Sequence, residues 1–263
     1  MSRTIQQLFN LQGKNALITG GSRGLGLQLA RALGEAGARV MLSARKADEL
    51  EQAVAELQAA GIDARWVAAD CAQEADLHRL ANETLQRMGD VDILVNNAGA
   101  AWGAPAEDHP IAAWDKVMNL NIRGYFILSQ VIGKKSMIPR RQGRIINVAS
   151  IAGLGGNPSQ MTTIAYNTSK GAAINFTRAL AAEWGKYNIN VNAICPGFFP
   201  SKMTAGTLQA MGVENLKKHA PLQRLGDDED LKGLCVLYAS DAGKHITGQW
   251  LAVDGGVSCV TGG

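Results

Sequence analysis

The chain alternates short apolar runs with helical stretches from end to end, and this alternation restricts the fold more than any single motif. The runs Asn15–Thr19, Arg39–Ser43, Ala64–Ala68, Asp92–Asn96, Arg144–Val148, Ile189–Ile194 and Trp250–Val253 read as seven strands. Their Val, Ile and Leu residues follow one another without polar alternation, as expected of strands buried on both faces of a parallel sheet. Helical patterns fill the intervals at 25–34, 47–60, 74–88, 111–137, 165–184 and 231–240. Strict strand–helix alternation predicts an α/β fold with a doubly wound parallel sheet and helices on both faces. No repeat, low-complexity tract or linker interrupts it, so one domain over residues 1–263 is expected. The segment from Pro196 to Pro221 stands apart, rich in Pro, Gly, Ser and Thr, with room for a short helix. Such a stretch in a compact domain reads as a substrate lid, placed at 197–221.

Composition narrows the function classes. Charged residues are 19% of the chain and the formal net charge is +3, too small and dispersed to argue for nucleic acid. The basic cluster Arg140, Arg141 and Arg144 reads as a solvated helix end. The cysteines Cys71, Cys195, Cys235 and Cys259 are far apart, with no C-x-x-C, which favours reduced thiols and a cytoplasmic setting over disulfides or zinc. No metal site is expected. No apolar run reaches the roughly 18 residues of a membrane helix, and no signal pattern opens the chain.

Chemistry enters with the first strand. Thr19-Gly20-Gly21-Ser22-Arg23-Gly24-Leu25-Gly26 follows it and opens the first helix. A glycine turn there lets the backbone approach a pyrophosphate lying on the helix N-terminus. The spacing is T-G-x-x-x-G-x-G, not G-x-G-x-x-G. Sites for NAD place an acid at the end of the second strand, roughly 20 residues on. This chain has Ser43-Ala44-Arg45-Lys46, and its first acid is Asp48. Arg45 and Arg23 are suited to a 2′-phosphate, which an acid would repel, so NADP(H) is the expected cofactor. Further on, Tyr166 and Lys170 sit one helical turn apart on one face. An ammonium fixed beside a phenol favours phenolate, so the spacing predicts a tyrosine pKa below its ordinary value.

Seven signals then fall in order: the Thr19 glycine turn, Asn96-Asn97-Ala98-Gly99, Asn121-Ile122-Arg123-Gly124, Ser150, Tyr166-x-x-x-Lys170, Pro196-Gly197 and Asp254-Gly255-Gly256. Together they resemble the classical short-chain dehydrogenase/reductase family, from about Leu11 to Gly256. The resemblance implies a single-domain Rossmann fold and an NADP(H)-dependent oxidoreductase that reduces a ketone to a secondary alcohol. By the same resemblance Tyr166 is the general acid/base, and Lys170 lowers its pKa and bonds the nicotinamide ribose. Ser150 holds the substrate oxygen, and Asn121 holds a water in a proton relay. The cofactor-binding set would comprise Gly20, Ser22, Arg23, Gly24, Leu25, Gly26, Arg45, Asp70 and Cys71 (adenine), Asn97 and Gly99 (adenine ribose), and Phe199 and Ser201 (carboxamide), with Tyr166 and Lys170. A homo-oligomer, tetramer or dimer, would form through the 111–137 and 166–184 helices.

Residues 96–103 and 196–204 look most like bacterial 3-ketoacyl reductases, the rhamnolipid-pathway type included, which implies a 3-oxoacyl thioester. The chain also departs from the fatty-acid-synthesis reductases. Ser150 and Tyr166 are sixteen positions apart, wider than those enzymes set them, with an insert at Gly155–Met161. Their carrier-protein arginine falls at Ala182, although Arg140 and Arg141 lie near the other docking position. Polyol or sugar dehydrogenation, and an inactive dinucleotide-binding regulator, are the alternatives; the intact Ser–Tyr–Lys set speaks against the second. Trp102, beyond the N-N-A-G turn, would either contact substrate or simply pack.

Overall fold

The computed structural model describes residues 2–260; the ends of the expected 1–263 domain lie outside them. Seven strands form one sheet in the order β3-β2-β1-β4-β5-β6-β7, with every pair parallel. They are β1 (Asn15–Thr19), β2 (Arg39–Ala44), β3 (Ala64–Ala68), β4 (Ile93–Asn96), β5 (Gly143–Val148), β6 (Ile189–Pro196) and β7 (Trp250–Val253). A short helix outside the expected set, α1 (Ile5–Phe9), precedes them, started by a capping box of Thr4 and Gln7.

Alternate strand residues serve opposite layers. Ile18, Leu42, Val95 and Ile146 pack with α2 (Gly24–Glu35), α3 (Ala47–Ala59) and α11 (Lys232–Ala239). Leu17, Met41, Leu94 and Ile145 pack with α4 (Glu74–Met88), α6 (Gly124–Ile132) and α8 (Ile164–Trp184). Both faces are therefore apolar, and each buried Leu or Ile side chain contributes roughly 1.5–3 kcal/mol.

The long helical stretch runs from α5 (Ile111–Met118) through α6 to α7 (Ile138–Arg140), interrupted by two π-helical turns at Asn119–Arg123 and Gly133–Met137. Gly124 follows the first π turn because a Cβ there would stand 2.6 Å from the Cys71 carbonyl oxygen. Two expectations change. The 197–221 segment holds two seven-residue helices, α9 (Ala205–Met211) and α10 (Val213–His219), not one short helix. The basic cluster is not a solvated helix end. Arg140 Nη1 donates to Asp92 Oδ1 at 2.9 Å, and Arg144 Nη1 to Asn190 Oδ1 at 2.8 Å. These two guanidiniums are drawn inward to satisfy polar groups at the strand starts; only Arg141 is fully exposed.

The strand order reverses between β1 and β4. Ligands of open α/β sheets bind outside the strand carboxyl ends at such a switch point. The glycine turn, the 96–99 turn, Ser150 and Gly197 all lie at those ends.

Candidate active site

The glycine turn is held by its neighbour across the switch point. Asn97 Nδ2 donates to the Thr19 and Gly20 carbonyls at 2.9 and 3.2 Å, and Thr19 Oγ1 accepts from Asn97 N and Ala98 N at 3.0 and 3.1 Å. Gly26 is obligatory, since a Cβ there would fall 2.1 Å from Gly20 O. Gly24 begins α2 with φ +52°, beneath Ser201. Leu25 turns into the core, and Ser22 Oγ reaches Glu49 Oε2 at 3.4 Å. The cradle is bare of side chains where a pyrophosphate would need backbone N–H groups at a helix start, so the residues fit a dinucleotide. Asn97, expected on the adenine ribose, gives both amide protons to this turn and so stands against the cradle.

Arg45 is exposed at the end of β2 and lines a cavity of about 470 Å³ with Asp70, Gln73, Asn119 and Leu120. Asp70 Oδ1 accepts from Ala72 N at 3.0 Å, fixing the turn after β3. Cys71 is buried beside it, its thiol pushed up to about 12 by burial. Arg23 does not stand free: Nη1 donates to both Glu49 carboxylate oxygens at 2.7 and 2.6 Å, and Lys46 joins at 3.2 Å. Glu49, in the first turn of α3, is a member of this charged cluster that sequence reasoning missed. Its place just past Arg45-Lys46 was the available signal.

α8 presents Tyr166 half-buried and Lys170 buried, only 3% exposed. The Lys170 Nζ lies 5.6 Å from the Tyr166 ring centroid. It donates to the Val148 carbonyl at 2.7 Å and stands 3.5 Å from the Tyr125 hydroxyl. This corrects the expected electrostatics. Burial raises the Tyr166 pKa, with only the Ser150 side chain opposing the rise, and the ammonium does not bond the phenol. Burial also brings Lys170 down to about 8. The ammonium is hydrogen-bonded to a backbone carbonyl and faces the Tyr166 ring without bonding its hydroxyl.

Ser150 is buried at the end of β5, its Oγ accepting from Ala152 N at 3.1 Å. Asn121 lies fully buried in the first π turn, a kind of helix defect common at functional sites. Its Oδ1 accepts from Ala100 N at 2.8 Å, and Nδ2 donates to Ala100 O and Ser169 Oγ, each at 2.9 Å. Both amide protons are therefore committed to the protein, so the expected water would be held through an oxygen of Asn121. The amide clamps the chain just beyond Gly99, whose Cβ position would lie 3.6 Å from Lys170 Nζ. The Phe199 ring is buried against Gly226, leaving only its backbone to face a ligand, while Ser201 Oγ lies 3.0 Å from Thr204 Oγ1. Tyr125, wholly buried with its hydroxyl donating to Val148 O at 3.1 Å, was missed because nothing local separates it from an ordinary core aromatic.

A family model described as short chain dehydrogenase matches residues 14–212. The rhamnolipids biosynthesis 3-oxoacyl-[acyl-carrier-protein] reductase of Pseudomonas aeruginosa is 39% identical over 254 residues, covering 94% of this chain and 97% of that protein. The gluconate 5-dehydrogenase of Gluconobacter oxydans is 36% identical, covering 95% and 97%. Among solved structures, a gluconate 5-dehydrogenase from Burkholderia cenocepacia in complex with NADP and tartrate superposes with a TM-score of 0.92 at 33% identity, covering 98% of this chain and all of that one. With the switch-point cradle and the Ser150, Tyr166 and Lys170 cluster in place, these likenesses settle the family: the chain belongs to the short chain dehydrogenases.

Proposed function

We propose that this protein is an NADP(H)-dependent oxidoreductase that reduces a ketone to a secondary alcohol. The observation that carries the reading is the convergence of Ser150, Tyr166 and buried Lys170 beside a side-chain-free cradle at the switch point. NADPH, when bound, supplies the hydride. The cradle of Gly20, Gly24 and Gly26 would hold the pyrophosphate through backbone N–H groups, and Arg45, with Arg23 beside Glu49, would hold the 2′-phosphate. Asp70, the Cys71 backbone, Asn97 and Gly99 would line the adenosine, and the Phe199 backbone with Ser201 would meet the carboxamide.

Ser150 and Tyr166 donate to the substrate carbonyl oxygen and stabilise the oxyanion that develops there. Tyr166 gives its proton to that oxygen. Its raised pKa keeps the phenol protonated before the reaction, as an acid must be. Lys170 would bond the nicotinamide ribose and stabilise the phenolate left on Tyr166, whose ring centroid lies 5.6 Å from its Nζ. Asn121 positions the 99–100 backbone against which the ribose lies. The 197–221 segment is the lid.

Among the described residues no helix is long and apolar enough to cross a membrane. Three buried free thiols favour a reducing cytoplasm. Exposed Ile111, Phe126 and Ile164 on the α5, α6 and α8 faces, with Trp250 and Leu251 on edge strand β7, support a homo-oligomer. The reading is tested by incubating the protein with NADPH and diacetyl. NADP+ should form in step with the secondary alcohol, with NADPH preferred over NADH. Bound NADPH that no ketone oxidises would contradict it.

A further inference from the structure

The two arginines expected on one 2′-phosphate have different surroundings. Arg45 lines the cavity with Asp70 and Gln73, and its charge acts on Cys71. Arg23 is bound instead to Glu49, which also draws in Lys46.

Glu49 lies in the first turn of α3 and reaches across to the glycine turn that opens α2. Its Oε1 accepts from Arg23 Nη1 at 2.7 Å and stands 3.2 Å from Lys46 Nζ. Its Oε2 accepts from Arg23 Nη1 at 2.6 Å and from Ser22 Oγ at 3.4 Å. Lys46 first, then Arg23 and Lys202, hold its carboxyl below the usual carboxylate range, so it is an anion at neutral pH. Two cations and a hydroxyl converging on one oxyanion are the contacts that a phosphate would seek.

The carboxylate is the most enclosed member of the cluster: its side chain is 23% exposed, against 50% for Arg23 and 60% for Lys46. The cations thus keep open sides toward solvent, from which a dianion would arrive. Either Arg23 releases Glu49 to take the phosphate, or the phosphate binds beside a like charge. Both routes weaken its hold. A ribose 2′-hydroxyl meets no such opposition, because it can donate to a carboxylate, as it does to the acid of NAD sites.

We propose that Glu49 is an internal stand-in for the 2′-phosphate, which restrains the preference for NADPH by competing with it for Arg23 and Lys46 while sparing NADH. The proposal rests on the NADP(H) reading above and adds to it the residue that limits it. Arg45, which makes no bond to Glu49, supplies the preference that remains.

The test is calorimetric titration of the whole chain, freed of nucleotide, with 2′,5′-ADP, which carries the 2′-phosphate, and with 5′-AMP, which lacks it. Glu49→Gln keeps the side-chain length, and Asp48 keeps an acid in the first turn of α3. The variant should bind 2′,5′-ADP about fivefold tighter than wild type, the upper range for an exposed ion pair, and 5′-AMP no tighter. In an Arg23→Gln background the same change should gain at most about twofold, because the competition runs through Arg23. Equal or weaker binding of 2′,5′-ADP by Glu49→Gln, or an undiminished gain without Arg23, overturns the proposal. If wild type and variant both bind 2′,5′-ADP no tighter than 5′-AMP, the NADP(H) reading itself falls, and the proposal with it.

Discussion

The Lys170 ammonium and the Tyr125 hydroxyl donate to one acceptor, the Val148 carbonyl oxygen, at 2.7 and 3.1 Å. The two donors lie 3.5 Å apart, and both residues are buried. A buried carbonyl without a partner is costly, so a lysine that alone satisfied Val148 would be held back from any other acceptor. Tyr125 would remove that constraint by staying on the carbonyl were Lys170 to turn to the proposed cofactor ribose. Tyr125→Phe keeps the ring and deletes the second donor. NADPH should then bind roughly fivefold more weakly, about 1 kcal/mol, the value of one such hydrogen bond. The basic limb of the kcat profile should move to higher pH as Val148 holds the ammonium more firmly. A fluorescence titration and a pH–rate profile check both; unchanged values for the two would confine Tyr125 to packing.

Lys170 makes the fold pay for its chemistry. Its pKa falls to about 8 through burial, below the ordinary lysine value of about 10.4. Between those values the unfolded chain binds the proton and the folded chain does not, so this group's contribution to stability rises with pH across that window. Below it the penalty is complete, on the order of 3 kcal/mol. Lys170→Met should therefore be inactive yet more stable than the wild type at pH 7, with the gap narrowing by about pH 10. Val148 keeps Tyr125 as donor in the variant. Urea midpoints at both pH values measure the gap; a variant less stable than wild type at pH 7 would contradict the burial account.

Arg45 carries the cofactor choice more openly than Arg23, because Glu49 already holds Arg23 at 2.6 Å. Arg45→Asp replaces the exposed cation with an acid that repels a 2′-phosphate and suits a ribose hydroxyl. The NADPH-to-NADH ratio of kcat/KM should drop by about 100-fold, close to 3 kcal/mol, typical of a charge-assisted contact turned repulsive. Steady-state rates with each nucleotide provide the measurement. An unchanged ratio would move phosphate recognition elsewhere.

The sheet could be read from the sequence because each strand serves two apolar layers. Leu17 and Ile18 face opposite ways, yet both belong to cores, so the run carries a clear signal. Tyr166, Lys170, Ser150 and the glycine turn were legible because their spacing and order are fixed by the fold. What escaped was partnership over distance. Nothing near Lys170 in the chain indicates that its ammonium would rest on Val148, nor that Asn97 and Asn121 would spend their amides on backbone across the switch point. Arg140 and Arg144 look like surface charges until β4 and β6 bring Asp92 and Asn190 beside them. The π turn at Asn119–Arg123 was hidden for another reason: α5, the turn and α6 share one apolar periodicity, and only Gly124 marks the defect. The two helices of the 197–221 segment were obscured by Gly206 and Gly212, residues that read as loop.

The central claim, that the Tyr166 phenol is the proton donor, is tested most directly by single-turnover reduction of a reactive ketone by NADPH. Wild type and Tyr166→Phe are compared at matched cofactor saturation. The variant retains the ring, Ser150 and the cradle, and lacks only the acidic proton. The expected result is a loss of about 10³-fold or more in the rate of NADPH oxidation, with the NADPH dissociation constant unchanged. A variant that turns over within a few-fold of wild type would contradict the assignment.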